Sequence, residues 1–323
     1  MGRAMRATLT GVAVLGVVAA VGVAVLWRSG GLPPLTQGCT AEVNGHEVGL
    51  DLEQAENAGL IAAVSVERGL PPRAASIALA TAMQESKLRN LETGDRDSVG
   101  LFQQRPSQGW GTVQQILNPY YATNRFYDAL VQVDGYERMD IAAAAQEVQR
   151  SAFPDAYSEH EEDARALASA LTGETTGGAF SCQVRGGYGE SSSKLDKAGL
   201  TRRAAVVRRD LEAVFGDLPL GGFEAGGVTD GHMSGSAHYD GRAIDVFARP
   251  VSDANKQRGW AIAAYLVAEA DRLRISTVIF DGRIWRSGRH SDEGWTAYRV
   301  PAGSSGDRAV LEHRDHVHVD VAP

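Results

Sequence analysis

The chain has 323 residues, of which 43% are hydrophobic and 22% are charged, a composition typical of a folded protein. Its length exceeds the usual size of one hydrophobic core and predicts two globular domains. The formal net charge of -8 argues against a nucleic-acid binder, because a polyanionic partner normally selects a basic face.

The N-terminal segment predicts a membrane-spanning helix. Arg3 and Arg6 precede a charge-free apolar run from Leu9 to Trp27, and Arg28 follows it. A helix of this length, at about 1.5 Å per residue, is roughly 28 Å long and can cross a bilayer. A cleavable signal peptide is the alternative, but no A-x-A site follows the run, which favours an uncleaved anchor.

The segments after this helix are expected to lie outside the membrane. Basic residues before a span stay on the inner side, so residues 1–28 predict a cytoplasmic stub and a single-pass anchor. Residues 29–52, which contain GGLPPLTQG, predict a tether. The two cysteines, Cys39 and Cys182, then lie in an oxidising compartment, where one disulfide is the simplest pairing and two free thiols are the alternative.

Residues 53–172 predict a mostly α domain. Alanine-rich runs such as AASIALATAMQ and DIAAAAQEVQ suit closely packed helices, and Gly69 with the prolines after it separates two of them. Glu85 lies near the end of one helix, where a half-buried carboxyl can stay protonated as a general acid towards a glycosidic oxygen. An exposed charge paired with Lys87 or Arg89 explains it equally well.

The motifs around this carboxylate resemble those of lysozyme-like lytic transglycosylases, and the GDR step is similar to goose-type lysozymes. The motif residues are Glu85, Ser86, Gly94, Asp95, Arg96, Gly100, Leu101, Phe102 and Gln103. The resemblance implies that Glu85 is the acid/base, that Asp95 holds or activates water, and that Gln103 lies in the sugar groove. The A-Y-N-x-G segment common in transglycosylases is absent. With Asp95 or Asp97 as a second carboxylate the reaction is hydrolysis; without one it is intramolecular transfer, and both stay open.

Residues 173–199 predict an interdomain linker, because GETTGGAFSCQVRGGYGESSS is rich in Gly, Ser and Thr and lacks a sustained period. Residues 200–323 predict an α+β domain. One helix begins near Thr201 and a second near Asn255, and the chain ends with the alternating HVHVDV.

Six of the eight histidines lie in this last domain, which favours a metal site. Catalytic zinc takes three protein ligands from His, Asp and Glu and keeps a fourth position for water. Gly241 allows the chain to bend so that His238 and Asp245 reach the same point. Strand periodicity of two places His316 and His318 on one face.

The motifs formed by these residues resemble those of the zinc D-alanyl-D-alanine peptidases. That superfamily includes VanY-like carboxypeptidases, and lysostaphin-type endopeptidases and the hedgehog fold are its relatives. The fixed positions of S-x-H-x-x-G-x-A-x-D are occupied by Ser236, His238, Gly241, Ala243 and Asp245. A downstream acid-x-x-H with H-x-H completes the pattern in DHVH. The resemblance places Ser236 among the residues that contact substrate.

The same resemblance implies a Zn2+ ion on His238, Asp245 and His318, with catalysis by Asp315 and assistance from His316. The family's base is often glutamate, whereas this chain has the shorter aspartate. Glu312, one turn upstream, is the alternative, and the spacing favours Asp315.

Both resemblances converge on one polymer, and we expect a bifunctional peptidoglycan hydrolase. The predicted fold is multidomain: an N-terminal transmembrane helix, a mostly α lysozyme-like domain that cuts glycan strands, and an α+β hedgehog/DD-peptidase-like zinc domain that cuts stem peptides or cross-links. The expected location is the bacterial cell membrane, with the N-terminus inside and both domains on the cell-wall side. Its partners are then the membrane, glycan strands and stem peptides, and no nucleic acid.

Two other functions stay open at this point. One is a wall-binding or scaffold protein in which one or both domains are inactive. The other is a single-activity zinc peptidase whose lysozyme-like domain only grips glycan. The sequence does not decide between carboxypeptidase and endopeptidase action.

Overall fold

A small three-stranded sheet contains the first strands of the described residues. The structure, a computed structural model, describes residues 37–151 and 154–323. Strands β1 (Gly38–Val43) and β2 (His46–Leu50) form a hairpin, and β3 (Phe180–Gln183) pairs antiparallel with the other edge of β1. Part of the predicted tether and part of the predicted linker therefore form this sheet, which differs from the expectation.

The hairpin follows from its turn residues. Asn44 and Gly45 both have positive φ, at 53° and 81°, as the two central residues of a type I′ turn require. On the other side of β1, Cys39 lies directly opposite Cys182 of β3. The two cysteines form a disulfide across 143 residues of sequence, which confirms the predicted pairing.

Helices make up most of the region up to residue 171. They are α1 (Leu52–Glu67), α2 (Pro72–Ser86), α3 (Val113–Ile116), α4 (Pro119–Leu130), α5 (Ile141–Gln149) and α6 (Glu161–Leu171), with 3₁₀ helices at Pro106–Gln108 and Pro154–His160. Asp51 and Gln54 form a capping box at the start of α1. Small side chains let these helices approach closely: the alanines of α2 from Ala74 to Ala82 are fully buried.

A second, six-stranded sheet follows, in the order β4-β5-β9-β6-β7-β8 with antiparallel pairing throughout. Its strands are β4 (Leu220–Gly221), β5 (Ala243–Phe247), β6 (Ile275–Phe280), β7 (Arg283–Arg286), β8 (Thr296–Ala297) and β9 (His316–Val321). The helices of this region are α7 (Arg202–Phe215), α8 (Asp253–Ala268), α9 (Ala270–Leu273) and α10 (Arg308–Leu311), with a 3₁₀ helix at Gly288–Glu293. The described residues thus have helices and antiparallel sheets, as an α+β fold requires.

Residues from both predicted domains share one hydrophobic core, and residues 37–323 form one compact unit. Helix α1 lies against α8, where a Cβ on Gly59 would be 2.9 Å from the Cβ of Ala268. Tryptophans of the second region hold β3: Trp285 Nε1 donates to the carbonyl of Cys182 at 3.0 Å, and Trp295 Nε1 donates to that of Phe180 at 2.8 Å. The predicted linker is therefore packed in place at these residues.

Among residues 37–151 and 154–323, we find no helix with the length and apolarity needed to cross a membrane. The predicted anchor at residues 1–28 lies outside the described residues.

Candidate metal centre

Strand pairing brings two predicted ligands together. Strands β5 and β9 run antiparallel with Asp245 directly opposite His318. On β9 the alternate residues Val317 and Val319 are buried in the core, at 0% and 1% exposure, so the histidines face the other way. The predicted period of two is confirmed, and His316 lies on the same face as His318.

His238 reaches the same place from a turn. Its carbonyl accepts a hydrogen bond from the amide of Gly241 at 3.0 Å, and Gly241 has a φ of +64°. The turn leads directly into β5 and therefore into Asp245. Ser236, predicted to contact substrate, stands before the turn, and its Oγ accepts from the amide of His238 at 3.4 Å.

Three ligand-type atoms converge within 3.3 Å of one another. His318 Nδ1 lies 3.0 Å from His238 Nε2 and 3.0 Å from Asp245 Oδ1, and His238 Nε2 lies 3.3 Å from Asp245 Oδ1. All three side chains are buried. In a tetrahedral zinc site with bonds of about 2.0–2.1 Å, two ligand atoms are about 3.3 Å apart, so the observed spacing suits such an ion.

The outer nitrogens of both rings fix which atoms face the centre. His238 Nδ1 donates to the carbonyl of Gly222 at 2.6 Å, and His318 Nε2 donates to Asp320 Oδ1 at 2.8 Å, tautomers assigned from these partners. The inner nitrogens then face each other and Asp245, and they present lone pairs once no proton lies between them. Three acceptors that face one another need a cation or a proton between them, and oriented outer nitrogens are typical of metal-bound histidines.

Charge at the centre follows from the same contacts. Burial alone would raise the pKa of Asp245, but hydrogen bonds from His238 and His318 outweigh it and hold that pKa well below its usual range. Burial alone would lower the pKa of His318, but the carboxylates of Asp320 and Asp245 outweigh it and raise the pKa to about 10. The group therefore favours one positive charge, which a metal ion would supply with release of the proton.

Gly222 is a part of this site that sequence reasoning missed. It follows β4 and has a φ of +76°. A Cβ at this position would lie 2.2 Å from Cε1 of His238 and 2.9 Å from Oδ2 of Asp245. Only a residue without a side chain can hold the His238 ring by its carbonyl and still leave room for both ligands. The paired glycines at 221 and 222 were the available signal.

The carboxylate of Asp315 is occupied on both oxygens. Oδ1 lies 2.7 Å from Nδ1 of His316, and Oδ2 accepts from Nε of Arg249 at 2.7 Å. Burial alone would raise the pKa of Asp315, but these two hydrogen bonds outweigh it and lower the pKa. His316 Nε2 points towards the centre, 3.8 Å from Asp245 Oδ1. Asp315 therefore orients an imidazole whose free nitrogen faces the ligands.

Glu312, the other candidate base, has different partners. Its two oxygens accept from Nε of Arg308 and from Nε of Arg314, each at 2.6 Å. Hydrogen bonding from Arg308 lowers the pKa of Glu312. A cavity of about 590 Å³ opens onto the three candidate ligands and is also lined by Ser236, Arg249 and Tyr298, whereas neither carboxylate is among its lining residues. Asp315 is connected to the cavity through its hydrogen bonds with His316 and Arg249, which both line it.

Two further histidines lie beside the ligands. The ring of His313 lies 4.7 Å from that of His316 and 5.5 Å from that of His318, and burial lowers the pKa of His313 to about 3. His232 stacks on His238 with ring centroids 3.9 Å apart. One ligand atom each of His232, His238 and Asp245 lie within 4.8 Å of one another, so this His/His/Asp group could also hold a metal ion.

The candidate acid of the helical region lies where α2 ends. Glu85 Oε1 accepts a hydrogen bond from the hydroxyl of Tyr157 at 2.6 Å. Burial, together with this bond, raises the pKa of Tyr157, so the phenol stays protonated and donates. Ser86 donates to the carbonyl of Leu101 at 2.7 Å and joins the G-L-F-Q segment to the helix end.

The loop after Glu85 gathers the other predicted residues. Gln103 Oε1 accepts from Ser98 at 3.0 Å, and a Cβ on Gly94 would meet this oxygen at 1.7 Å, so Gln103 packs into the G-D-R turn. Asp95 is exposed and lies 3.7 Å from Arg96. The structure therefore places Gln103 and Asp95 in one loop, with Asp95 facing solvent.

Asp97, the other candidate for a second carboxylate, is engaged elsewhere. It accepts from the amide of Ser107 at 2.8 Å and from Nε of Arg105 at 2.7 Å. These hydrogen bonds, of which that from Ser107 has the larger effect, hold the pKa of Asp97 well below its usual range.

A separate cavity of about 940 Å³ in the helical region is lined by residues that include Trp110, Gln149 and Arg150.

Comparison with protein families matches part of the chain. Residues 196–309 match the family model described as VldE, C-terminal domain. The matched segment contains His238 and Asp245 and ends before His318, and it is less than half of the chain. No curated protein matches the chain.

Proposed function

We propose that the protein is a zinc-dependent peptidase of peptidoglycan that also cleaves glycan strands through Glu85. The observation that carries the proposal is the meeting of three ligand-type atoms, from the buried side chains of His238, Asp245 and His318, within 3.3 Å of one another. We further propose that residues 1–28 anchor it in the membrane with the catalytic residues on the cell-wall side, as the sequence predicts.

Each residue of the centre has a task in this proposal. His238, Asp245 and His318 hold the ion, and Gly222 and Asp320 orient the two rings through their outer nitrogens. A zinc ion held there supplies Lewis-acid polarisation of the scissile carbonyl and a water nucleophile at neutral pH.

In this proposal, Asp315 and His316 transfer the proton as a pair. His316 Nε2 faces the centre and accepts a proton there, while Nδ1 stays hydrogen-bonded to Asp315. Arg249 neutralises the second oxygen of Asp315 and so keeps that carboxylate ionised. The imidazole then delivers the proton to the leaving amine.

The substrate class comes from the two sequence resemblances. The D-alanyl-D-alanine peptidase motifs indicate cleavage of peptide bonds, and the lysozyme-like motifs indicate cleavage of glycosidic bonds. Both kinds of bond occur in peptidoglycan. Their residues lie in regions that share one core. A single chain with both sites would cut peptides and glycan of the same wall segment.

Glycan cleavage rests on Glu85 and its contact with Tyr157. A phenol that stays protonated gives the carboxyl a fixed donor and orients its other oxygen for a glycosidic oxygen. Of the two candidates for the second carboxylate that hydrolysis needs, Asp95 faces solvent and Asp97 is held in an ion pair with Arg105. This arrangement favours intramolecular transfer, in which a substrate hydroxyl attacks.

The test is the set of products that the full chain releases from purified sacculi with zinc supplied, read by mass spectrometry of the muropeptides. We expect split cross-links or lost D-alanine, together with anhydro-muramyl ends. His318→Ala should abolish the peptide products, and Glu85→Gln should abolish the glycan products. His290→Ala, which changes an exposed histidine paired with Glu293, is the control for the first and should release both sets.

The products also decide between the alternatives. Peptide products without glycan products would leave a zinc peptidase whose helical region only grips glycan. Binding of sacculi with neither product set would identify a wall-binding or scaffold protein. Either result from the wild-type chain would overturn the bifunctional proposal.

A further inference from the structure

His232 stands at the edge of the candidate metal centre without a role in the proposed reaction. Its ring stacks on that of His238 with an interplanar angle of 21° and a centroid distance of 3.9 Å. One ligand atom of His232 lies within 4.8 Å of ligand atoms of both His238 and Asp245.

The backbone holds His232 in this position through the residue that follows His238. The hydroxyl of Tyr239 accepts from the amide of His232 at 3.1 Å and also donates to its carbonyl. Gly231 and Gly235, with φ of +82° and +79°, flank the histidine, and a Cβ on either would meet open space. The Tyr239 hydroxyl therefore holds the backbone of His232, on a segment whose neighbouring glycines can change conformation.

Coordination number separates two kinds of zinc site. Structural sites are closed by four protein ligands, whereas catalytic sites leave one position to water or substrate. His238, Asp245 and His318 would be three ligands, and a ligand atom of His232 lies within 4.8 Å of ligand atoms of two of them, His238 and Asp245. A centre with all four would be closed to substrate until one ligand moved away.

We propose that His232 is a fourth, displaceable ligand, which closes the metal centre at rest and swings away when substrate binds. Strands or the turn that leads into one hold His238, Asp245 and His318. His232 instead lies on the segment between Gly231 and Gly235. We therefore expect His232 to be the ligand that leaves. This inference rests on the metal site of the proposed function, and it adds a resting state that restrains activity.

X-ray absorption of the zinc-loaded full chain tests the inference, because it counts coordinated imidazoles independently of activity. We expect three imidazoles in the wild type and two in His232→Ala. Asp230→Asn, an exposed substitution on the same segment, is the matched control and should keep three. Two imidazoles in the wild type would overturn the inference.

A second measurement uses binding constants. Competition with a chromophoric chelator should show zinc affinity about tenfold or more weaker in His232→Ala, the loss expected even for an outer-shell partner. Azide, which needs an open position, should bind the cobalt-substituted variant about tenfold more tightly than cobalt-substituted wild type, since it no longer displaces an imidazole. Equal azide affinity in the two proteins would contradict a displaceable ligand.

Failure of the inference and failure of the proposed function give different results. Two imidazoles with release of peptide products would remove the fourth ligand and leave the peptidase. Three imidazoles without peptide products would keep the closed centre and remove the peptidase. A wild-type chain that binds no zinc would overturn both.

Discussion

Asp245 and His318 face each other across the pair formed by β5 and β9, with Asp245 Oδ1 3.0 Å from His318 Nδ1. Because side chains alternate along a strand, a shift of one residue in either strand would send one of the two to the opposite face. The buried Val317 and Val319 oppose such a shift. The core of the second sheet therefore sets the geometry of the candidate metal centre.

We expect zinc to stabilise the fold through this pair. At a free zinc concentration of 100 times the dissociation constant, the free energy of unfolding should rise by about 2.7 kcal/mol. Asp245→Asn, which keeps the shape of the side chain and removes its charge, should lose most of this gain. Urea unfolding with zinc and with chelator measures both. An equal response of the variant and the wild type would place the ion elsewhere.

Gly222→Ala should abolish metal binding while leaving most of the fold intact. The added Cβ would lie 2.2 Å from the His238 ring, and the backbone φ of +76° is strained for alanine. Gly189→Ala is the control, since a Cβ there meets nothing within 4 Å and its φ is not positive. Metal content by mass spectrometry and circular dichroism separate a damaged site from a damaged fold. Full zinc occupancy in Gly222→Ala would contradict the cradle described for His238.

The pair of Asp315 and His316 should act as one unit in catalysis. We expect Asp315→Asn and His316→Gln each to lower kcat by about 10²–10⁴ with zinc still bound. The double variant should be little worse than either single one, because residues that work through each other are not additive. Glu312→Gln should keep activity within a few-fold, since its carboxylate pairs with Arg308 and Arg314. A larger loss from Glu312→Gln than from Asp315→Asn would exchange their roles.

Local sequence signals pointed to the residues that lie together at the candidate metal centre. His238 and Asp245 are seven positions apart around a turn glycine, and the spacing of His316 and His318 shows their common strand face in the sequence itself. Such short patterns carry their geometry with them. The sequence also contains a signal for the β1–β2 hairpin, because Asn44-Gly45 lies between segments in which hydrophobic and polar residues alternate. The proline and glycine residues before it favoured a tether instead.

The residues that sequence reasoning missed approach the centre from elsewhere in the chain. Gly222 follows β4, the strand beside β5, and Arg249 follows the end of β5 and reaches Asp315, which directly precedes β9. Their contacts depend on how β4, β5 and β9 pack, which no local period encodes. Contacts within the predicted linker are equally remote in sequence: its backbone carbonyls at Phe180 and Cys182 accept hydrogen bonds from distant tryptophans.

The disulfide should contribute strongly to stability. It closes a loop of 143 residues between Cys39 and Cys182, which restricts the unfolded chain. We expect Cys39→Ser with Cys182→Ser to lower the free energy of unfolding by about 2–5 kcal/mol. Urea unfolding of this double variant against the wild type, with and without reductant, measures it. Two results together would contradict this role: reductant leaves the free energy of unfolding of the wild type unchanged, and the double variant is as stable as the wild type.

Stability should also fall with rising pH through Glu269, which lies 3% exposed at the junction of α8 and α9. Burial raises its pKa from 4.5 to about 8 against the lowering effect of Arg272, with Asp210 and Glu56 adding negative charge nearby. A raised folded-state pKa means that the folded chain holds the proton more tightly than the unfolded chain. The contribution of Glu269 is therefore complete below about pH 4.5 and is lost progressively as pH rises to about 8.

The variant Glu269→Gln isolates this contribution, because the amide is close in shape and cannot ionise. Its free energy of unfolding should decline less steeply than that of the wild type between about pH 4.5 and about pH 8. The exposed Glu92→Gln is the control and should follow the wild type. Urea unfolding across this range, with zinc removed from all three proteins, provides the curves. Parallel curves for Glu269→Gln and wild type would show that Glu269 is ionised in the folded chain, held so by Arg272 at 2.5 Å.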